Sequence, residues 1–306
     1  MIFTLTANPA IDMNYNTDTI NPFLVNRTTD LVYSPNGKGV NVSLTLNHFN
    51  IKSTVLGFFG GFTGEYIIDE LDKRGVLTNP CFIEENTRIN VFFNKGKEEY
   101  KFVNKGPYVS REIQVDMLNK LGLLSNEDIL IISGSLPVSI DEGYYDEIME
   151  ICEENGVKVI FDISSKKLNE LLKYKPLLIK PNDEEIKEIF GIEIITENDV
   201  IDVLEMLYKK GAENILLTMG EKGLYFFNGK KIYYCEPYKV DLVSSACAGD
   251  SSLGSFISQW INGVNLEYAL KLASAVGAEV ASSHGLGNFE KYECYMKKIN
   301  ESVKLL

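Results

Sequence analysis

"DILIISGSLPVSIDEGYYDEIMEICEENGVKVIFDIS", residues 128–164, decides the fold. It opens and closes on apolar runs, "DILIISG" (128–134) and "VKVIFDIS" (157–164), that show no polar alternation. A strand without alternation has to be covered on both faces. Between them, "DEGYYDEIMEICEENG" (141–156) places apolar residues near i, i+3, i+4 and i+7, the period of a helix with one buried side. Strand, helix, strand is the crossover unit of a parallel sheet. The same grammar extends outward to "IFTLTA" (2–7), "STVLGFF" (53–59), "PLLIKPN" (176–182) and "NILLTMG" (214–220). Each run closes on small or polar residues where a loop would begin. Right-handed crossovers bring all these strand ends to one edge, where ligands bind.

Two segments break the rhythm. "TRINVFFNKGKEEYKFVNKGP" (87–107) reads as a hairpin, with alternating strands about a Gly-containing turn. "NRTTDLVYSP" (26–35) reads as a further polar strand. Together they predict a small sheet hung off the main body, from about 12–36 and 86–106. Nothing else divides the chain, so one domain over 1–306 is expected.

Composition narrows the function. The net charge of −13 argues against a nucleic-acid partner and against docking on an anionic membrane. It does not exclude anionic ligands, which local backbone donors can hold. "MIFTLTANPAID" lacks the basic region of a signal peptide. The five cysteines (81, 152, 235, 247 and 294) are scattered and form no CxxC pair, which suggests neither a zinc site nor a disulfide framework. A reducing cytoplasm is the simplest expectation.

Six stretches could carry chemistry, and each also has a plain structural reading. In "SPNGKGVNVSLTLNHF" (34–49), Gly37 and Gly39 stand at a helix start, where free N–H groups and the helix dipole suit an anion or merely a turn. The spacing is not that of a P-loop. The glycines of "GFFGGFTGEYIIDELDKRGV" (57–76) permit either a tight turn or close approach by a ligand. Arg88 and Asn90 in "TRIN" would face the loop edge, and Arg suits a bidentate phosphate contact. In "KPNDEEIKEIFG" (180–191), Asn182 and Glu185 fit a capping box and equally a pair that orients water on Mg²⁺. "TMGEKGLYFF" (218–227) is a hairpin turn against which a nucleotide could lie. In "VDLVSSACAGDSSLGSFISQWI" (240–261), small residues feed a helix whose first turn holds Asp250. An acid there stabilises the dipole by about 0.3–1 kcal/mol. It is also what phosphoryl transfer to a hydroxyl needs: amides to hold the phosphoryl charge and a carboxylate to take the proton. His48 and His284 read as structural or surface residues, and Cys152 and Cys235 as core.

At this point a family resemblance enters. The chain resembles the ribokinase-like, PfkB-type sugar kinases through "TANPAID" (6–12), "GKGVNVS" (37–43), "LGFFGGFTGEYI" (56–67), "TRIN" (87–90), "NKGP" (104–107), "SGSLP" (133–137), "DIS" (162–164), "KPNDEE" (180–185), "TMGEKG" (218–223) and "AGDSSLGSF" (248–256). The motifs run nearly end to end in the family's order. "GGFTGEYI" with "TRIN" resembles the branch acting on fructose 1-phosphate, and the branch acting on tagatose 6-phosphate is a near relative.

The resemblance implies a three-layer αβα sandwich with a mostly parallel central sheet and a small β-sheet lid. It implies ATP and Mg²⁺, a phosphorylated ketose as acceptor, a homodimer built through the lids, and leaves a monovalent cation open. Its expected activity is phosphorylation of fructose 1-phosphate at the 6-hydroxyl; the non-enzyme alternative is an inactive sugar-phosphate sensor. By resemblance, Asp250 is the general base, and Cys247, Ala248, Gly249 and Asp250 form the anion hole. Asp12, Gly37, Lys38, Gly39, Asn41, Arg88, Asn90 and Ser135 are expected on the sugar side, with Arg88 and Lys38 against its phosphate. Lys180, Asn182, Glu185, Thr218, Gly220 and Gly223 are expected around the nucleotide, with Glu185 and Asn182 reaching Mg²⁺ through water. One departure stands out: the family reads G-A-G-D where this chain has Cys247-Ala248-Gly249-Asp250. If that first position needs φ > 0, Cys is strained there by about 1 kcal/mol or more. A thiol there would also be a point at which oxidation blocks the site.

Overall fold

The computed structural model describes residues 1–96, 98–299 and 303–305. Its large sheet runs, in spatial order, Val303–Leu305, Ile232–Cys235, Leu224–Phe227, Ile215–Thr218, Leu178–Ile179, Lys158–Asp162, Ile129–Ser133, Ile2–Thr6, Ser53–Gly60 and Leu77–Thr78. The short strand Cys81–Ile83 also pairs with Ser53–Gly60. From Ile215–Thr218 through Leu77–Thr78 every pairing is parallel. The three remaining pairings, at the other edge, are antiparallel.

Two strands of the opening stretch explain the layering. Leu130 and Ile132 pack with Val159 and Phe161 into one buried cluster, against Met117, Ile148 and Leu207 of the helices on that face. Ile131 and Ile160, one residue out of phase, belong to a second cluster with Val42, Leu253, Phe256 and Ala273. Alternate residues therefore enter opposite cores, which is why these strands carry no polar side. The run at 176–182 forms only the two-residue strand Leu178–Ile179. Pro176 and Pro181 flank it and have no N–H to give to a ladder.

The second sheet has four strands, ordered Asp30–Asn36, Ala10–Asn16, Arg88–Lys95 and Glu98–Phe102. The expected hairpin is present, with Val91–Lys95 antiparallel to Glu98–Phe102. The sequence reading did not single out Ala10–Asn16, which is a central strand. Its polar residues alternate with Ile11 and Met13, which pack against Ile67 and Leu71 of the body. The strand register sets Asp12 beside both Ser34 and Asn90.

His48 ends the helix Lys38–His48 and packs its ring against Phe49, Phe289 and Tyr292. Cys152 and Cys235 are buried, and the five cysteines are free. Among the described residues no helix is long and apolar enough to cross a membrane.

Candidate active site

The parallel strands end where three helices begin: Lys38–His48, Asp183–Phe190 and Ala248–Trp260. The first and third are packed unusually close. A Cβ on Gly254 would stand 2.8 Å from Thr45 Cβ and 3.0 Å from the Val42 carbonyl. That approach brings Asn41, on one helix, against Asp250, on the other. A cleft of about 300 Å³ opens at this edge beneath the small sheet, with Asn36, Gly37, Lys38, Arg88, Asn90 and Ser135 on its wall.

Asp250 is buried in the first turn of its helix. The first intrahelical bond there runs from Ser251 N–H to the Cys247 carbonyl at 2.9 Å. The amides of Ala248, Gly249 and Asp250 thus face out of the N-terminus. Asn41 Nδ2 donates to Asp250 Oδ2 at 2.8 Å. Burial and the nearby Asp162 carboxylate push the Asp250 carboxyl up to about 6, against the pull of Lys38, Asn41 and Lys180. It is still mostly ionised at neutral pH and is a stronger base than an exposed aspartate.

Beside it lies a buried charge cluster. Asp162 Oδ1 is 3.2 Å from Lys38 Nζ and 3.1 Å from Lys180 Nζ. These two cations hold Asp162 below its ordinary value although burial opposes them. Lys38 Nζ also lies 3.3 Å from Glu185 Oε1 and donates to Ser164 Oγ at 3.3 Å. A Cβ on Gly249 would stand 3.3 Å from Lys180 Nζ, so this ammonium lies beside the helix amides. The sequence reading set Lys38 against the sugar phosphate; the structure turns its ammonium into this acid cluster.

The capping box is complete: Asn182 N–H donates to Glu185 Oε2 at 3.0 Å, and Glu185 N–H donates to Asn182 Oδ1 at 2.7 Å. The other oxygen, Oε1, accepts from Ser164 Oγ at 2.5 Å. Among the described residues no group of three or more His, Cys, Asp or Glu could cage a metal ion. The residues present suit Mg²⁺ held through phosphate oxygens and water instead, since Asp162 Oδ2 is buried without a hydrogen-bond partner beside this cluster.

On the small-sheet side, Asp12 is buried, and burial raises its carboxyl above the ordinary value. Asp12 Oδ1 accepts from Asn90 Nδ2 at 2.9 Å, and Oδ2 accepts from Asn36 Nδ2. Arg88 donates to the carbonyls of Asn8 (2.9 Å), Pro9 (3.4 Å) and Asn104 (2.7 Å), which leaves two of its five N–H groups free for an anion. Gly37 caps its helix at φ 137°, and a Cβ on Gly39 would stand 2.4 Å from Thr6 Oγ1. Both positions exclude a side chain.

Thr218, Gly220 and Gly223 lie one strand further along, outside the cleft wall. Thr218 N–H donates to the Pro181 carbonyl at 3.1 Å and bridges to Asn182, which ties that turn to the capping box. Gly220 (φ 52°) and Gly223 (φ 92°) are in conformations that L side chains rarely adopt.

Cys247 has φ 63°, so the position does require the left-handed region. Its Sγ lies 3.3 Å from Asn41 Nδ2. Burial, Asp250 and Asp12 hold the thiol well above its ordinary value. The thiolate is scarce at neutral pH, and oxidation there is correspondingly disfavoured.

Sequence reasoning missed Asn36 and Asp162. Asp162 had a signal, since an acid closing an apolar strand on the ligand edge has no structural reason to be there.

The geometry has relatives. A family model for pfkB family carbohydrate kinases matches residues 5–291. The chain is 46% identical to the D-tagatose-1-phosphate kinase of Klebsiella oxytoca over 98% of each chain. It is 33% identical to the 1-phosphofructokinase of Bacillus subtilis over 95% of each. In fold it resembles Escherichia coli phosphofructokinase-2, solved with substrates and products, at a TM-score of 0.91 and 24% identity over 98% of this chain and 99% of that one. The cleft, the acid at a helix N-terminus and the matched sequence together place the chain in the pfkB family of carbohydrate kinases, as an ATP-dependent sugar-phosphate kinase.

Proposed function

We propose that the protein transfers the γ-phosphoryl group of ATP to the 6-hydroxyl of a ketohexose 1-phosphate, giving the 1,6-bisphosphate and ADP, and that D-tagatose 1-phosphate is its preferred acceptor. The observation that carries this reading is Asp250: a buried carboxylate with a pKa raised to about 6, set beside three outward amides and the Lys180 ammonium. The higher identity to the tagatose 1-phosphate enzyme, 46% against 33% for the fructose 1-phosphate enzyme, supports putting that sugar first. Fructose 1-phosphate, which differs only in configuration at C4, is the second reading.

In this reading Asp12 and Asn90 hold ring hydroxyls, and the two free N–H groups of Arg88 hold the C1 phosphate. The 6-hydroxyl lies against Asp250, which takes its proton as the oxygen attacks the γ-phosphorus. The amides of Ala248, Gly249 and Asp250, with Lys180, stabilise the charge on the transferring group. Glu185 and Asn182 would hold Mg²⁺ through water, and the ion would neutralise phosphate charge there. Thr218, Gly220 and Gly223 line the nucleotide. The small sheet acts as a lid that keeps out water, the competing acceptor. Its exposed Leu31, Tyr33 and Phe102, which share one face of that sheet, form the surface through which two copies pair, a state that light scattering reads directly.

The test is an ADP-release assay across tagatose 1-phosphate, fructose 1-phosphate, tagatose 6-phosphate and fructose 6-phosphate, with and without K⁺. The expected order of kcat/KM puts tagatose 1-phosphate first and fructose 1-phosphate second. A clear preference for either 6-phosphate overturns the proposal.

A further inference from the structure

We propose that Asn36 is a positioning residue that ties the catalytic carboxylate of Asp250 to the sugar-side carboxylate of Asp12. The inference rests on the reading of Asp250 as base and goes beyond it. Five side chains form one hydrogen-bonded row. Asp250 Oδ2 accepts from Asn41 Nδ2 at 2.8 Å. Asn41 Nδ2 also donates to Asn36 Oδ1 at 2.8 Å. Asn36 Nδ2 donates to Asp12 Oδ2. Asn90 Nδ2 closes the far end on Asp12 Oδ1 at 2.9 Å.

The row has only one sense. An ionised carboxylate accepts and cannot donate, so Asn41 must show its NH₂ to Asp250. The second hydrogen of that NH₂ meets Asn36 at 2.8 Å, closer than the weakly accepting Cys247 Sγ at 3.3 Å, so Asn36 turns its carbonyl oxygen to Asn41. That leaves the Asn36 NH₂ for Asp12. The Gly37 N–H, which also donates to Asn36 Oδ1, fixes the same orientation. If the Asn36 amide were reversed, two NH₂ groups would face each other and a carbonyl would face Asp12. A buried polar network with one consistent sense is rigid, whereas one broken link leaves buried groups unpaired.

The position of Asn36 gives the row its use. It is the last residue of the small-sheet strand Asp30–Asn36 and directly precedes Gly37, the cap of the helix that carries Asn41. Asp12 and Asn90 are on the small sheet, while Asn41 and Asp250 are on the body. Asn36 therefore joins the two halves of the site, and the base is held in line only while the small sheet is seated. Cys247 Sγ also lies at that junction, 3.3 Å from Asn41 Nδ2.

The test compares Asn36→Ala with Asn36→Asp on the best acceptor of the assay above. Asp matches Asn in shape, so a packing role makes Asn36→Asp the mild change. The hydrogen-bond sense makes it the severe one, because it sets an acceptor against the Asp12 carboxylate. We expect kcat of Asn36→Asp to fall about ten-fold or more below that of Asn36→Ala, as for two carboxylates sharing a site. KM for ATP should stay within about two-fold of wild type, since the row does not reach the nucleotide residues. In kcat, Asn36→Ala combined with Asn41→Ala should be no worse than Asn41→Ala alone. If Asn36→Asp does not fold, as read by circular dichroism, this double-mutant comparison decides. Asn36→Asp equal to or better than Asn36→Ala, or additive losses in the cycle, overturns the inference alone. Turnover that survives Asp250→Asn overturns the base and the inference together.

Discussion

Asp250→Asn should stabilise the protein while it abolishes turnover. Burial and the Asp162 carboxylate move the Asp250 carboxyl from its ordinary 3.8 to about 6. Each unit corresponds to about 1.36 kcal/mol, so the folded protein at pH 8 carries roughly 3 kcal/mol of unfavourable ionisation at this one residue. The sign follows from the raised value. A carboxyl that prefers its proton in the folded state destabilises fully above its folded pKa, and the penalty fades as pH falls toward the unfolded value. Asparagine has no charge to desolvate and keeps an acceptor for Asn41 Nδ2, which is 2.8 Å away in the wild type. The gain should be about 3 kcal/mol at pH 8 and about half that at pH 5, where the wild-type residue is largely protonated. In a chain of this size that corresponds to a rise of roughly 5 °C in Tm at pH 8 and roughly 2 °C at pH 5. Thermal unfolding followed by circular dichroism at the two pH values reads both numbers. A Tm below wild type at pH 8, or a gain that does not shrink with pH, would refute the reasoning.

Further predictions concern the same cluster. The wild-type kcat/KM should fall below about pH 6 as Asp250 takes up a proton. Asp162→Asn should shift that acid limb to lower pH, because it removes a charge that raises Asp250. It should also destabilise by about 3–5 kcal/mol, because it strands the buried Lys180 without its carboxylate while Lys38 keeps Glu185; urea unfolding measures this. Glu185→Gln should raise the Mg²⁺ concentration needed for half-maximal rate several-fold, with a smaller change in sugar KM, as read by metal titration. Cys247→Gly relieves a residue at φ 63° but loosens the unfolded chain, so stability should change by less than about 1 kcal/mol. In the wild type Cys247 should react slowly with iodoacetamide at pH 7 and faster as pH rises, in the direction of its raised thiol value.

The body of the fold was legible because alternate residues of strands such as Ile129–Ser133 enter opposite cores, and burial on both faces writes a continuous apolar run. The capping box at Asn182 and Glu185 was legible for the same kind of reason, since its spacing is set by one helical turn. Ala10–Asn16 escaped because its polar positions belong to a strand with one face over the cleft, and such a pattern is common to loops. The partners of the site residues were hidden for a different reason. Asn41 meets Asp250 only because two helices pack close at Gly254, and Lys38 meets Asp162 and Glu185 across three segments far apart in sequence. No local pattern encodes such meetings. Asn36 was invisible as a functional residue because its importance lies in the direction of its amide, which only its neighbours on both sides define.

The central claim is that Asp250 takes the proton from the acceptor hydroxyl, and single-turnover phosphoryl transfer by Asp250→Asn, at saturating ATP, Mg²⁺ and the best ketohexose phosphate, tests it most directly. The account predicts a rate about 10³-fold or more below wild type in a protein that is folded and at least as stable. A rate within about ten-fold of wild type would contradict it.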